Sequence, residues 1–232
     1  FSPSITFPVN GKIKTTLGAI VKYFNVRNED EQRSYNDFNP YGGNRLSLLG
    51  ALGNVTIDGR DHEKSPFKGY YASIDGSYYP KLFNNIGQFG KLTGDLRGYV
   101  GYKERISLGL RLRGEKVFGN YPFFESAFLG GSKYLRGFAS ERFAGDASAL
   151  VSAELRLTLF KMNVLLPETV GLFGFVESGR VFLENEESKK WHASYGGGLY
   201  MFVMNRDITL RFTLARSEEN NYVFYFGTGF GF

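Results

Sequence analysis

Residues 91–113 constrain what this chain can fold into more than any other stretch. Leu92, Leu96, Val100 and Tyr102 stand opposite Thr93, Asp95, Arg97 and Lys103. A tight turn at 103–105 leads into Ile106, Leu108, Leu110 and Leu112, which alternate with Ser107, Gly109, Arg111 and Arg113. A repeat of two residues is the pleat of a β-strand, and two such runs across one short turn predict a hairpin. One face of that hairpin is apolar, and the other carries ionised groups in mid-strand. Two architectures satisfy both faces. In a soluble sandwich or barrel the apolar face packs into the core; in a membrane barrel it meets lipid and the charges line a polar interior.

The same period recurs along the chain. Residues 12–27 place Leu17, Ala19, Val21 and Tyr23 on one face, and a polar stretch from Arg27 to Gly43 reads as a long loop. Residues 44–57 are a weaker strand because Leu48, Leu49, Ala51 and Leu52 blur the period; 59–66 is a polar turn, and 67–79 alternate again. A long Gly- and aromatic-rich segment, 114–145, separates these from five further strands at 147–160, 169–182, 192–203, 207–216 and the last ten or so residues. The count is ten, or twelve if 1–8 or 44–57 hides another hairpin. No window shows the 3.6-residue period of a helix. The 17% aromatic residues and 30 glycines suit short strands and tight turns. The expected fold is all-β, a single antiparallel barrel domain over residues 1–232. An even count puts both termini on the periplasmic side with the short turns, and the long loops outside.

The end of the chain chooses between the two architectures. Tyr222, Phe224, Phe226, Phe230 and Phe232 are placed on one face of the last strand, within the pattern Tyr225-x-Gly227-x-x-Phe230-x-Phe232. Soluble chains usually end in polar, frayed residues, whereas the last strand of a barrel has to pair with the first. The pattern resembles the C-terminal targeting signal of bacterial outer-membrane barrels, so the expected fold is a transmembrane barrel. No stretch approaches the roughly 20 apolar residues of a membrane helix. Phe1-Ser2-Pro3-Ser4 lacks the basic and apolar segments of a signal peptide, which places any signal or further domain upstream of Phe1.

Several chemistries are disfavoured. Without cysteine there is no disulfide framework and no thiolate metal site. The net charge of +5 is scattered singly among apolar residues, unlike the runs of a nucleic-acid patch, although basic loop residues suit lipopolysaccharide phosphates. His62 sits in a polar turn, and His192 and Ser194 share a strand face by ordinary alternation, so no catalytic set is expected. Gly196-Gly197-Gly198 follows no strand-to-helix turn and is not a phosphate loop. No cofactor or metal is expected.

Within the long segment, Leu135-Arg136-Gly137-Phe138 resembles the Val/Ile-Arg-Gly-Phe/Tyr motif of the BamA-type superfamily of outer-membrane barrels. Phe175-Val176-Glu177-Ser178-Gly179-Arg180-Val181 is similar to that family's Phe-x-Asp-x-Gly-x-Val, with Glu in place of Asp. Ser194-x-Gly196-x-Gly198 and the Gly-rich aromatic end follow in the family's order. The likeness is close over 106–232 and only one of style over 1–105. It implies that the long loop folds back into the barrel. Glu177 shares a strand face with Phe173, Phe175 and Gly179, and a guanidinium brought into that interior requires a carboxylate, because an unpaired charge there is costly. The expected contact is a bidentate Arg136–Glu177 ion pair, with Gly137 letting the backbone pass close to the wall.

The resemblance further implies protein insertion or translocation, with unfolded outer-membrane proteins or secreted chains as partners. Gly227, Gly229 and Gly231 thin one face of the closing strand, consistent with a loose seam. Ten strands fall short of the full insertase barrels, so a membrane anchor or translocator for a fused domain such as a patatin-like lipase is the alternative. An outer-membrane enzyme is the second alternative. The substrate and the oligomeric state stay open.

Overall fold

The computed structural model describes residues 1–24, 46–82, 87–163, 166–184 and 189–230. Six strands precede the long loop: β1 (Ser4–Pro8), β2 (Ile13–Phe24), β3 (Leu46–Asp58), β4 (Gly69–Tyr79), β5 (Phe89–Tyr102) and β6 (Ile106–Gly119). The loop carries a 3-10 turn at Phe123–Glu125 and a short pair, β7 (Ala127–Leu129) and β8 (Phe143–Gly145). Five strands follow: β9 (Ala147–Asn163), β10 (Pro167–Phe182), β11 (His192–Val203), β12 (Thr209–Ser217) and β13 (Val223–Thr228). All except β7 and β8 form one antiparallel sheet of eleven strands in the order β1-β2-β3-β4-β5-β6-β9-β10-β11-β12-β13.

The ten strands read from the alternation all form, and β1 makes an eleventh. Pro3 and Pro8 bracket it and obscured it in the sequence; proline is tolerated there because β1 is an edge strand. Among the described residues the sheet thus has eleven strands where an even number was expected, and the two described ends lie apart. The backbone N–H of Val21, near the upper end of β2, donates to Phe1, whereas that of Phe230 donates to Lys64 at the lower end. Among the described residues β1 and β13 share no backbone pairing, so the sheet is open along that seam. The long loop starts at 120 rather than 114, because Glu115 and Val117 continue the inward face of β6. The polar stretch 27–43 and Phe232 lie outside the described residues.

Burial decides which face is which. On β6, Ser107 and Arg111 are 0% and 4% exposed, while Leu110 and Leu112 are 52% and 53% exposed. Leu92, Leu96, Val151, Leu155 and Val176 are likewise exposed on neighbouring strands, opposite buried Asp95, Ser152, Glu154 and Glu177. A soluble protein buries its aliphatic residues and exposes its charges. This wall does the reverse, as a barrel in lipid must. No described helix is long and apolar enough to cross a membrane.

The end of the chain departs from the expected single aromatic face. Phe224 and Phe226 point outward, while Val223 and Tyr225 point to the interior side. After Gly229, at φ +70°, Phe230 turns inward and packs on Phe173, Tyr200 and Phe202. A left-handed residue interrupts the two-residue alternation, which sequence periodicity does not register.

Candidate functional site

The loop between β6 and β9 bends into the interior and is anchored along its length. Lys22 of β2 pairs with Glu125, and Tyr121 donates to Asp146, tying its two ends. Further in, Leu129, Leu135 and Phe138 pack with Leu150 of β9 and Val181 of β10. Leu135 and Gly137 both take left-handed conformations, at φ +83° and +90°. Gly137 has a second requirement: a Cβ there would lie 3.2 Å from the Cβ of Ser217 and from the backbone of Arg216 on β12. The tight turn aims the intervening side chain, Arg136, across the interior.

Arg136 is 1% exposed and meets two carboxylates. Its backbone N–H donates to Glu177 Oε2 at 2.6 Å and its Nε to Glu177 Oε1 at 2.9 Å, while Nη2 lies 2.7 Å from the same Oε1. Nη1 donates to Glu154 Oε2 at 2.9 Å. Ser152 also donates to Glu177 Oε1, at 3.1 Å. The guanidinium carbon sits 3.5 Å above the ring of Phe175. That ring lies against β11 where Gly196 has no side chain, since a Cβ would come within 2.8 Å of it. Charge-assisted, partly bidentate hydrogen bonds between buried groups are the strong kind.

Glu154 extends the set. Its Oε1 accepts from Arg156 Nε at 2.8 Å, and both residues are 0% exposed. That Glu154 is shared between two guanidiniums was not foreseen from the sequence: Arg156 is its neighbour two residues along the same strand face, but Arg136 reaches it only because the loop enters the interior. Arg211, 7% exposed, is the contrast: among the described residues its Nε and Nη1 have no hydrogen-bond partner.

The motif also touches the end of the chain. The N–H of Gly137 donates to the Tyr225 hydroxyl at 2.9 Å, and that hydroxyl faces the Phe138 carbonyl at 3.4 Å. Ser217 and Asn220 donate to the Gly137 carbonyl at 2.8 and 3.0 Å. The loop is therefore pinned on one side to β9 and β10, and on the other to β12 and β13. Gly227 lies opposite Arg211 on β13, with open space where a Cβ would sit. Gly179 accommodates the Leu129 side chain, which a Cβ would approach to 3.1 Å.

A second insert comes from below. The turn between β3 and β4, read from sequence as a polar turn over 59–66, enters the interior: Ser65 is 0% and Phe67 2% exposed. Arg156 Nη1 donates to the Pro66 carbonyl at 2.7 Å and Ser107 to that of Phe67 at 3.0 Å. Ser65 and Thr209 share a hydroxyl contact of 2.6 Å. Arg206 pairs with Asp61 at 2.7 Å. Burial pushes the Asp61 carboxyl up, but Arg206 and the N–H groups of Lys68 and Phe67 outweigh it and hold it below the usual carboxylate range. The only advance signal was Phe67, an apolar residue directly after a polar turn.

The two histidines are placed apart. His62 accepts from the Ser65 N–H at 3.2 Å and lies 3.3 Å from Asp207. His192 stacks on Phe143 with ring centroids 4.0 Å apart and contacts Glu218, whose carboxyl is held low by hydrogen bonds from Lys190 and His192. Ser194 points to the interior, 2% exposed and without a hydrogen-bond partner among the described residues.

Residues 1–232 match the Omp85 superfamily domain. Among solved structures, the chain is similar to BamA from Haemophilus ducreyi lacking POTRA domains 1–3, at 16% identity and a TM-score of 0.75, over 97% of this chain and 52% of that one. It is also similar to CdiB from Escherichia coli, at 15% identity and a TM-score of 0.67, over 97% of this chain and 43% of that one. The chain thus spans about half the length of the structures it matches. No curated protein matches it in sequence.

Proposed function

We propose that this chain, which belongs to the Omp85 superfamily, forms the working wall of an outer-membrane barrel that inserts proteins into, or passes them across, the outer membrane. The observation that carries this reading is the Gly137–Tyr225 contact, which ties the motif loop to the strand bordering the open seam. A seam can do work only if its edge strand is held in place, and β13 meets that condition through Tyr225. The interior is a less suitable route, because the loop and the lower turn both occupy it. The partners are unfolded outer-membrane or secreted chains arriving from the periplasmic side, in a setting of phospholipid and lipopolysaccharide. We place the chain as a single barrel domain, with any receptor domain outside it.

The test is reconstitution in liposomes with an unfolded β-barrel client. Protease-protected, heat-modifiable client should accumulate faster than in empty liposomes, and Tyr225→Phe, which removes only the hydroxyl, should slow it. Equal rates in empty and loaded liposomes would sink the reading. They would leave the alternative, a wall that anchors a fused soluble domain.

A further inference from the structure

The lower turn and the end of the chain meet at one side chain. Arg156 spends its Nε on Glu154 and its Nη1 on the Pro66 carbonyl. The flat face of the same guanidinium lies 3.7 Å from the ring of Phe230. The backbone closes the circuit, since the Phe230 N–H donates to the Lys64 carbonyl at 3.3 Å and the Gly229 N–H to Thr209 at 3.0 Å. Thr209 in turn holds Ser65. One planar cation thus uses an edge for the wall, another edge for the turn and its face for the terminal segment. Arginine offers this combination; lysine does not.

We propose that residues 61–68 are a latch on the terminal segment 223–230, and that Arg156 is the positioning residue that holds it shut. The latch grips below the point where Tyr225 is held by the motif loop, so the terminal segment is fixed at two levels. Glu154 serves both levels, because it accepts from Arg136 above and Arg156 below. That the latch regulates opening of the seam rests on the function proposed above. The latch itself does not, and its test reads the latch alone.

The measurement is hydrogen exchange of the folded protein in detergent or nanodiscs, resolved by segment. Arg156→Met keeps an unbranched apolar stem and removes the charge and donors. It should speed exchange at least tenfold in both 64–68 and 223–230 while leaving the upper part of β10 unchanged, and Arg156→Lys should rescue only part of the protection. A uniform rise across all strands, or no rise in either segment, overturns the proposal.

A second variant keeps the test decisive if Arg156→Met does not assemble. The chain has no cysteine, so Ser65→Cys combined with Thr209→Cys introduces the only thiols and can be locked by oxidation. Oxidation should slow exchange at 223–230 several-fold relative to the reduced form; an unchanged rate there overturns the latch. A latch that passes while liposome insertion fails would remove the insertion reading only, and the reverse outcome would remove the latch only.

Discussion

Two segments enter the interior of this sheet from opposite ends, and their charged anchors run in opposite directions. The upper loop sends a side chain to the wall: Arg136 gives up its donors to Glu177 and Glu154. The lower turn is gripped through its backbone, with the carbonyls of Pro66, Phe67 and Lys64 accepting from Arg156, Ser107 and Phe230. In the first case the charge belongs to the insert, and in the second to the wall. An insert held by its own charge leaves that charge in its sequence. One held by its carbonyls leaves no mark, because every residue has a carbonyl.

The largest effect should come from removing the charge on which the upper insert depends. Arg136→Ala leaves the buried carboxylates Glu177 and Glu154 with one cation fewer. Breaking a buried pair from one side costs about 3–5 kcal/mol. The temperature at which the compact gel band of the barrel converts to the unfolded one should fall sharply, and protease should cut within 129–138. A variant that stays compact and uncut would show that the loop is held by Leu135 and Phe138 packing alone.

Glu177→Gln should cost less. It keeps an oxygen to accept from Arg136 and leaves Glu154 as the remaining anion, so the loss is on the order of a hydrogen bond to a charged group, about 1.5–3 kcal/mol. The loop should become protease-sensitive while the lower turn stays protected. Equal loosening of both inserts would mean that the interior behaves as one unit and not as two.

The same contrast explains what could be read in advance. Strand positions followed from the two-residue period, which any half-buried pleat imposes on its residues. The loop motif and Glu177 were visible because their chemistry sits in side chains. Glu154 and Arg156 lie two residues apart on one face of β9, but the use of each by an insert depends on where the loop and the turn enter. Phe230 was assigned to the wrong face because one left-handed glycine resets the alternation. The lower insert left only Phe67 as a sign: the carbonyls of Pro66 and Phe67 and the hydroxyl of Ser65 acquire a role only from the distant strands that fold around them.

Ser107→Ala tests the lower insert at its weakest single point. It removes one donor to the Phe67 carbonyl and should cost about 1 kcal/mol. Exchange should rise in 64–68 and stay unchanged in 129–138. The opposite pattern would reverse the assignment of Ser107 to the turn.

The smallest effect lies at the mouth of the lower insert, where Asp61 pairs with Arg206 outside the strands. The folded carboxyl is held below its ordinary value of about 4. Its contribution is therefore complete above that ordinary value and is lost as the pH falls through the lower, folded one. Both groups are partly exposed, so screening limits the pair to about 0.2–1 kcal/mol. Asp61→Asn should accordingly lower the gel-band conversion temperature slightly at neutral pH, with the difference from the parent shrinking below about pH 4. High salt should shrink it too, since an exposed pair is screened. The upper insert provides the control, because Arg136 and its carboxylates are enclosed and the cost of Glu177→Gln should be insensitive to salt. If salt erased both differences alike, the interior would be open to solvent at both ends, and the distinction between a charge-held loop and a carbonyl-held turn would lose its physical basis.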